Sequence, residues 1–182
     1  MPRLSLPDSP TPEQAAVIAE VVSGKRGKVP GPMIGWLPNP ELARRAQRLG
    51  ELLRYDTSLE PVLSELAILI CARHWTSHYE WTAHKPIALK AGLDPRTIAD
   101  IAARRKQPFL RGAREEAVHA IASTLLAQTK ISDALYVHGV ATLGERGIVD
   151  LVGILGYYSL VALTLNAFEL GLPESHAAEL NP

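Results

Sequence analysis

Signals for the start of a helix recur along the whole chain and constrain its fold more than any other feature. A capping side chain followed by proline or aspartate occurs at four points: Thr11-Pro12, Asn39-Pro40, Asp94-Pro95 and Ser132-Asp133. Such caps satisfy the free N–H groups of a first helical turn, and proline is favoured just after them because its missing N–H is not needed there. No segment alternates apolar and polar residues between hairpin turns, as strands would require. The sequence therefore predicts an all-α protein.

Apolar residues at helical spacing between these signals predict about eight helices. The predicted helices cover residues 11–23, 39–53, 61–75 (opened by Ser58 or Pro61), 77–91, 94–103, 112–128, a seventh from 132, and a long apolar eighth after a turn at Gly144 and Gly147. Residues 24–38 are rich in glycine and proline, which predicts an ordered loop or arm rather than a helix. We expect one domain at 24–172, preceded by a segment and first helix at 1–23 and followed by a tail at 173–182.

Charge and composition limit the class of partner. The formal net charge is zero, which gives no support for a nucleic-acid partner. Cys71 is the single cysteine, so the chain cannot form an internal disulfide. The first residues lack the pattern of a signal peptide, and a cytoplasmic location is the default expectation.

The apolar stretch 151–168 is marginal in length for a membrane span and is bracketed by Asp150 and Glu169. We predict a helix buried at the centre of a bundle or oligomer, and no membrane partner.

Residues 71–84 hold the candidate chemistry. Glu80 and His84 lie four residues apart, so on a helix their side chains can touch. A carboxylate beside an imidazole is a proton-transfer pair. Ser77 would lie on the same face, and so would Arg73 if one helix continued through both positions. The alternative is an exposed pair without function, but neighbouring tryptophan and tyrosine residues favour partial burial.

Glu65 stands in an otherwise apolar helical segment. A buried carboxylate is costly unless it is paired. Its partner is predicted to be Arg73 or His84, either as a structural pair or as part of the site.

Other candidate sites are weaker. His74 and His78 have the spacing of zinc ligands but lack the HExxH pattern, so we expect them to border a pocket or a neighbouring subunit, with no metal bound. Cys71 is interpreted as a small buried hydrophobe. No phosphate loop or dinucleotide fingerprint is present, and we expect no cofactor.

These residues resemble the carboxymuconolactone decarboxylase and alkylhydroperoxidase D superfamily. The matching pieces are ELAILICAR (65–73), YEWTAH (79–84) and ALKAGL (88–93), with supporting flanks such as RGKVPGP and LPNPELARR. The resemblance covers roughly residues 24–172. It implies an alkylhydroperoxidase D-like helical bundle and a homo-oligomer, commonly a trimer or hexamer, with the 24–38 arm and the 147–170 helix as contact elements.

The resemblance also implies a catalytic set of Glu65, Glu80 and His84. The Cys-x-x-Cys-x-x-x-His motif of the peroxidase branch falls here on Ser77, Glu80 and His84, so both redox cysteines are absent. The Tyr-Glu-Trp-x-x-His form resembles the decarboxylase-like branch. That branch implies a cofactor-independent lyase or isomerase acting on a small carboxylated lactone or related carbon acid. The alternatives are a non-catalytic protein for binding small acids or for assembly, and, with less support, a peroxidase that uses Cys71 alone.

Overall fold

The prediction of an all-α chain is confirmed. The computed structural model describes residues 2–172 and 176–181, and this part contains eight helices and no strand. The helices are α1 (Pro12–Ser23), α2 (Gly31–Trp36), α3 (Pro40–Tyr55), α4 (Pro61–His74), α5 (His78–Lys90), α6 (Pro95–Ala102), α7 (Ala113–Gln128) and α8 (Asp133–Ala167). At four of the helix starts the predicted cap is in place, because the side chains of Thr11, Asn39, Asp94 and Ser132 each accept a hydrogen bond from a backbone N–H of the first turn.

The prediction that residues 24–38 contain no helix is wrong for residues 31–36. Pro30 caps α2 and Pro32 lies in its first turn, where proline costs no hydrogen bond. Met33 and Trp36 are buried, and Trp36 Nε1 donates to Thr164 Oγ1 on α8 at 2.7 Å. Tertiary packing of this short helix therefore outweighs the glycine and proline content of the segment.

Helix α4 is the centre of the molecule. Every residue from Leu63 to Arg73 is buried, and α4 packs against α5, α6, α7 and α8. A helix buried on all sides must place its one carboxylate, Glu65, inside the core. The side chains of the neighbouring helices therefore determine which group can pair with that carboxylate.

A sharp break separates α4 from α5. Thr76 has a φ of +48°, and the Ser77 N–H donates back to the Ala72 carbonyl at 2.8 Å. The turn lets α5 run beside α4. Because the helix is not continuous here, Arg73 does not share a face with Glu80 and His84.

Helix α8 is bent at Gly144, which has φ +79° and ψ 161°, in agreement with the predicted turn. Among the described residues, α8 is the one helix long and apolar enough to cross a membrane, and 56% of its most apolar window is buried inside the chain. Burial of this kind is consistent with the core helix of a soluble protein. Within one chain the burial is one-sided, because Val149, Val152 and Leu163 are exposed.

Both ends of the chain contact the bundle. The Arg3 N–H donates to the Phe168 carbonyl at 2.9 Å, at the end of α8. Near the other end, Leu180 is buried, and Glu179 pairs with Lys85 on α5. Of the expected tail at 173–182, residues 173–175 and 182 lie outside the described part.

Gly50 on α3 lets α3 approach α8 beside the candidate site. A Cβ added there would overlap the Tyr157 hydroxyl and crowd Arg26 Nη2. We expect Gly50→Ala to lower the free energy of unfolding by about 1–3 kcal/mol, the usual cost of overpacking. Urea unfolding followed by circular dichroism measures it. Arg45→Ala, on the exposed face of the same helix, is the control and should change stability by less than about 1 kcal/mol. A tolerated Gly50→Ala would contradict this packing.

Candidate active site

The site is built around a buried pair between Glu65 and His84. Glu65 Oε2 lies 2.8 Å from His84 Nδ1, and each side chain is only 7% exposed. Glu65 comes from the core helix α4 and His84 from α5, which the break at Thr76 brings alongside. Of the two partners expected for Glu65, the structure brings it to His84.

The Glu65–His84 contact determines which nitrogen of the imidazole carries the proton and how the ring is oriented. A carboxylate at Nδ1 holds the proton on that nitrogen, so Nε2 of the neutral ring is left as a proton acceptor. The Tyr158 ring meets the His84 ring edge to face, with centroids 5.1 Å apart. Burial raises the pKa of the Tyr158 hydroxyl above its ordinary value, which keeps it neutral. The imidazole is therefore fixed in both tautomer and orientation.

Glu80 lies one helical turn before His84 and is 2% exposed. Burial raises the pKa of its carboxyl to about 8, and the nearby Ser77 hydroxyl has a smaller, opposite effect. Both Glu80 oxygens and Ser77 Oγ are buried, and none has a hydrogen-bond partner of acceptable geometry among the described residues. At neutral pH, Glu80 is therefore mostly a protonated acid, able to donate a proton or a hydrogen bond.

Glu80 and His84 open onto one cavity of about 360 Å³. Tyr79, Tyr157, Tyr158 and Trp36 contribute aromatic walls. The volume is in the range of small-ligand pockets, which combine apolar walls with a few convergent polar groups. Glu80 and His84 thus border a space in which a small molecule can meet them, whereas Glu65 contacts His84 and does not line the cavity.

Three basic residues at this cavity were not predicted from the sequence: Arg26, Lys28 and Arg54. Arg26 and Lys28 come from the loop before α2, which was interpreted as a contact element between subunits, and Arg54 comes from the end of α3. The Nε and Nη2 atoms of Arg26 are buried and make no hydrogen bond of acceptable geometry among the described residues, although the Tyr157 hydroxyl lies close enough for Arg26 to oppose the rise that burial causes in the pKa of Tyr157. The sequence signal that could have revealed Arg26 and Lys28 is their place in the segment RGKVPGP. A rigid, proline-containing loop can position charged side chains beside a cleft.

Arg73 is placed away from the site, and the hydroxyl of Tyr79 at the cavity already has a hydrogen-bond partner. Arg73 Nε donates to the Ala102 carbonyl at 2.8 Å and Nη1 donates to Thr76 Oγ1, so Arg73 contacts neither Glu65 nor the cavity. The Tyr79 hydroxyl accepts a hydrogen bond from the Gly31 N–H at 3.2 Å, which ties α5 to the start of α2. Tyr79 therefore shapes the cavity wall with its hydroxyl already engaged.

His74 and His78 do not form a shared site. His74 lines a cavity near α7, whereas His78 lines another beside the end of α8. Across residues 2–172 and 176–181, no group of three or more His, Cys, Asp or Glu side chains is placed to hold a metal ion.

Cys71 is fully buried on α4. Its Sγ lies 3.5 Å from Ser159 Oγ, and burial raises the pKa of the thiol to about 12. A thiol with that pKa contains almost no thiolate at neutral pH, and the thiolate is the reactive form. This environment disfavours a peroxidase reaction at Cys71.

Comparison with known proteins identifies the family that part of the chain resembles. Residues 40–123 match the sequence model of the carboxymuconolactone decarboxylase family. The predicted resemblance to that family is confirmed. The matched segment includes Glu65, Glu80 and His84, whereas Arg26, Lys28 and Tyr158 lie outside it.

Among solved structures, an uncharacterized peroxidase-related protein from Silicibacter sp. TM1040 superimposes with a TM-score of 0.74. The match covers 96% of this chain and 92% of that protein at 18% identity. At that identity the likeness establishes the shared helical fold. No curated protein sequence matches the chain. The decarboxylase-like segment thus lies within an alkylhydroperoxidase D-like bundle.

The burial of Glu80 predicts a pH dependence of stability. In the unfolded chain the Glu80 carboxyl ionises near its ordinary pKa of 4.5, and in the folded chain near 8. Between these values the folded state holds a proton that the unfolded state has lost, so this contribution to stability falls as pH rises. Glu80→Gln should remove it and stabilise the protein at pH 8 by on the order of 4 kcal/mol.

Chemical denaturation at pH 5, 6, 7 and 8 measures the effect in the wild type and in Glu80→Gln. Glu145→Gln, at an exposed position on α8, is the matched control and should follow the wild type. If Glu80→Gln also follows the wild type across this range, Glu80 is not a protonated buried acid.

Proposed function

We propose that this chain is a cofactor-independent acid/base enzyme, a lyase or isomerase acting on a small carboxylated lactone or related carbon acid. The observation that carries the proposal is the meeting of two different proton-transfer groups at one buried cavity. His84 is held by Glu65 at 2.8 Å, and Glu80 is held as an acid with a pKa of about 8. The match to the carboxymuconolactone decarboxylase family supports the reaction class.

His84 is the proposed proton acceptor. With its Nδ1 proton directed at Glu65, its Nε2 is free to take a proton from a carbon made acidic by a neighbouring carbonyl. The carboxylate of Glu65 stabilises the imidazolium that forms, as the acid partner does in hydrolase triads. Glu65 is thus a positioning residue that acts through His84.

Glu80 is the proposed proton donor. Loss of carbon dioxide, or removal of a proton, leaves an electron pair on a substrate carbon. The neighbouring carbonyl delocalises this pair, and the product is an enolate. The Glu80 carboxyl gives its proton to that species and becomes a carboxylate, which water then reprotonates. In an isomerisation, His84 takes the proton from one carbon and Glu80 supplies one to another, so the substrate's composition is unchanged, and the His84 imidazolium then returns a proton to the Glu80 carboxylate through water. General acid–base action of this kind contributes on the order of 10²–10⁴ in rate.

Arg26, Lys28 and Arg54 give the cavity its preference for an acid. A guanidinium binds a carboxylate through two parallel hydrogen bonds, and Arg26 has two buried nitrogens that make no hydrogen bond of acceptable geometry among the described residues. A carboxylate held this way is stabilised and is not the one that leaves. If the reaction is a decarboxylation, the departing carboxylate belongs instead against the aromatic walls, where losing its charge is favoured.

The rival proposal is a non-catalytic protein that binds a small acid in the same cavity or serves assembly. The basic residues that line the cavity suit binding alone equally well. The two proposals differ in the effect of removing the proton-transfer groups, because Glu80→Gln would then change affinity at most and no substrate would turn over.

Activity on a panel of carboxylated lactones and β-keto acids tests the roles. We expect His84→Gln to lower kcat by about 10²–10⁴-fold with KM little changed, since the imidazole acts in the transition state. Glu65→Gln should lower kcat less and alter its pH profile, because the imidazole loses its anionic partner while keeping its place.

The matched control is His138→Gln, at an exposed position on α8, which should leave kcat unchanged. Circular dichroism establishes that each variant is folded. A folded His84→Gln with wild-type turnover would overturn the assignment. Absence of turnover by the wild type on the whole panel would favour the binding protein.

We further propose that the chain forms a homo-oligomer, a trimer or hexamer, through α8. Exposed residues spaced three or four apart form an apolar stripe on its outer face: Val149, Val152, Gly156, Leu160 and Leu163. The stripe is about 21 Å long at the helical rise per residue. Spacing of this kind fits the seam between two packed helices, and open space over Gly156 allows close approach. A second copy of the same helix supplies a matching face.

Light scattering after size-exclusion chromatography tests the oligomer. The wild type should give a mass three or six times 19.8 kDa, and Val152→Glu should lower it toward that of one chain. Val137→Glu makes the same change at an exposed position outside the stripe and is the control. A monomeric wild type, or an unchanged mass in Val152→Glu, would contradict the interface.

A further inference from the structure

A second cavity of about 320 Å³ lies between the end of α4, the segment after α6, and α7. None of the residues that line it lines the active-site cavity. Its polar lining consists of Arg73, His74, Arg104, Arg105, His119 and Ser123. We call this cavity the arginine pocket. Three guanidinium groups and two imidazoles face one small space, and no carboxylate is among its lining residues.

Arg73 is the most unusual member of the arginine pocket. It is 5% exposed, and its two hydrogen bonds go to the Ala102 carbonyl and Thr76 Oγ1. No ion pair of Arg73 occurs in the part of the chain that the structure describes. A buried guanidinium without a carboxylate is costly, and neutral acceptors repay that cost only in part. Arg73 therefore carries buried positive charge that an anion would neutralise.

Arg104 adds a second charge beside the first. Arg104 Nη2 also donates to Thr76 Oγ1, at 3.2 Å, so the two guanidinium groups converge on one hydroxyl. The backbone at Arg104 has a φ of +54°, in the left-handed region that non-glycine residues seldom adopt. Two cations held this close repel each other, and the proximity of Arg104 helps burial to lower the pKa of Arg73. An anion between them would turn repulsion into attraction.

The other charged groups around the arginine pocket are mostly engaged or neutral. Arg105 pairs with Asp100 at 2.8 Å. Burial lowers the pKa of both His74 and His119, and Arg104 lowers that of His74 further, so each ring is neutral at pH 7 and offers one N–H donor. Glu116 and Lys106 line the neighbouring cavity that His119 also borders.

We propose that the arginine pocket binds a phosphate group, either free or carried by a small organic molecule, through Arg73, Arg104 and His119. Planar guanidinium groups match a tetrahedral oxyanion with paired hydrogen bonds, and a phosphate has enough oxygens to meet both arginines and an imidazole N–H together. Ser123 provides a hydroxyl donor at the same wall. The volume accommodates a phosphate with a small organic group attached.

Isothermal titration calorimetry with inorganic phosphate at pH 7 tests the proposal, with ionic strength held constant by sodium chloride. The wild type should show saturable binding at one site. Arg104→Gln and His119→Gln should each weaken it about tenfold or more, the usual loss for a charge-assisted hydrogen bond. Both residues lie at least partly on the surface, so these variants should fold, as circular dichroism verifies.

Arg45→Gln removes one exposed arginine on α3, far from the pocket in sequence, and should bind phosphate as the wild type does. Phenyl phosphate distinguishes the source of the group: tighter binding than inorganic phosphate indicates a phosphorylated metabolite, and equal binding indicates free phosphate. No saturable binding to the wild type, or binding that Arg104→Gln and His119→Gln leave unchanged, would overturn the proposal. None of these readouts depends on the acid/base activity.

Discussion

The contact between Glu65 and His84 is the interaction on which the rest of the site depends. It joins a carboxylate on the most buried helix to an imidazole on the next helix, at 2.8 Å and almost out of reach of water. An unpaired carboxylate in that position would cost several kcal/mol. Helix α5 must therefore run beside α4 with His84 turned inward, and the turn at Thr76 makes that possible. Glu80, one turn earlier on α5, is carried into the same buried region.

The two carboxyl groups differ because their surroundings differ. Glu65 has an imidazole partner, whereas Glu80 has no hydrogen-bond partner among the described residues, and burial raises the pKa of its carboxyl to about 8. Glu80 lies in the first turn of α5, where the helix dipole favours a negative charge, yet burial dominates. Pushing two acids of one site into different roles is a common way for proteins to provide both proton acceptance and proton donation at neutral pH.

Much of this arrangement could be predicted from sequence, because its causes are local. The caps at Thr11, Asn39, Asp94 and Ser132 are signals within a few residues, and all four are found. That Glu80 and His84 lie one turn apart on one helix follows from their spacing. The predicted contact between them does not form, because His84 pairs with Glu65 and neither Glu80 oxygen has a hydrogen-bond partner among the described residues. The demand of Glu65 for a partner follows from its apolar neighbours, although the sequence could not choose between Arg73 and His84.

The errors concern contacts between distant parts of the chain. Residues 31–36 form a helix because Trp36 reaches Thr164 on α8, which no local pattern reveals. Arg26 and Arg54 reach the cavity from elements that precede α4 in the sequence. Arg73 is directed away by the break between α4 and α5, which agrees with the predicted helices at 61–75 and 77–91, so Arg73 does not share the face that a continuous helix would have given it. Basic residues and loop geometry, rather than helix periodicity, therefore complete the site.

The protonation state of Glu80 is the most direct test of the account, since the proposed chemistry requires an acid there at neutral pH. The measurement is a pH titration of the Glu80 carboxyl carbon by nuclear magnetic resonance, assigned by its loss in Glu80→Gln. The account predicts a carboxyl that remains protonated at pH 7 and titrates near pH 8. A carbon signal that titrates near the ordinary value of 4.5 would contradict it.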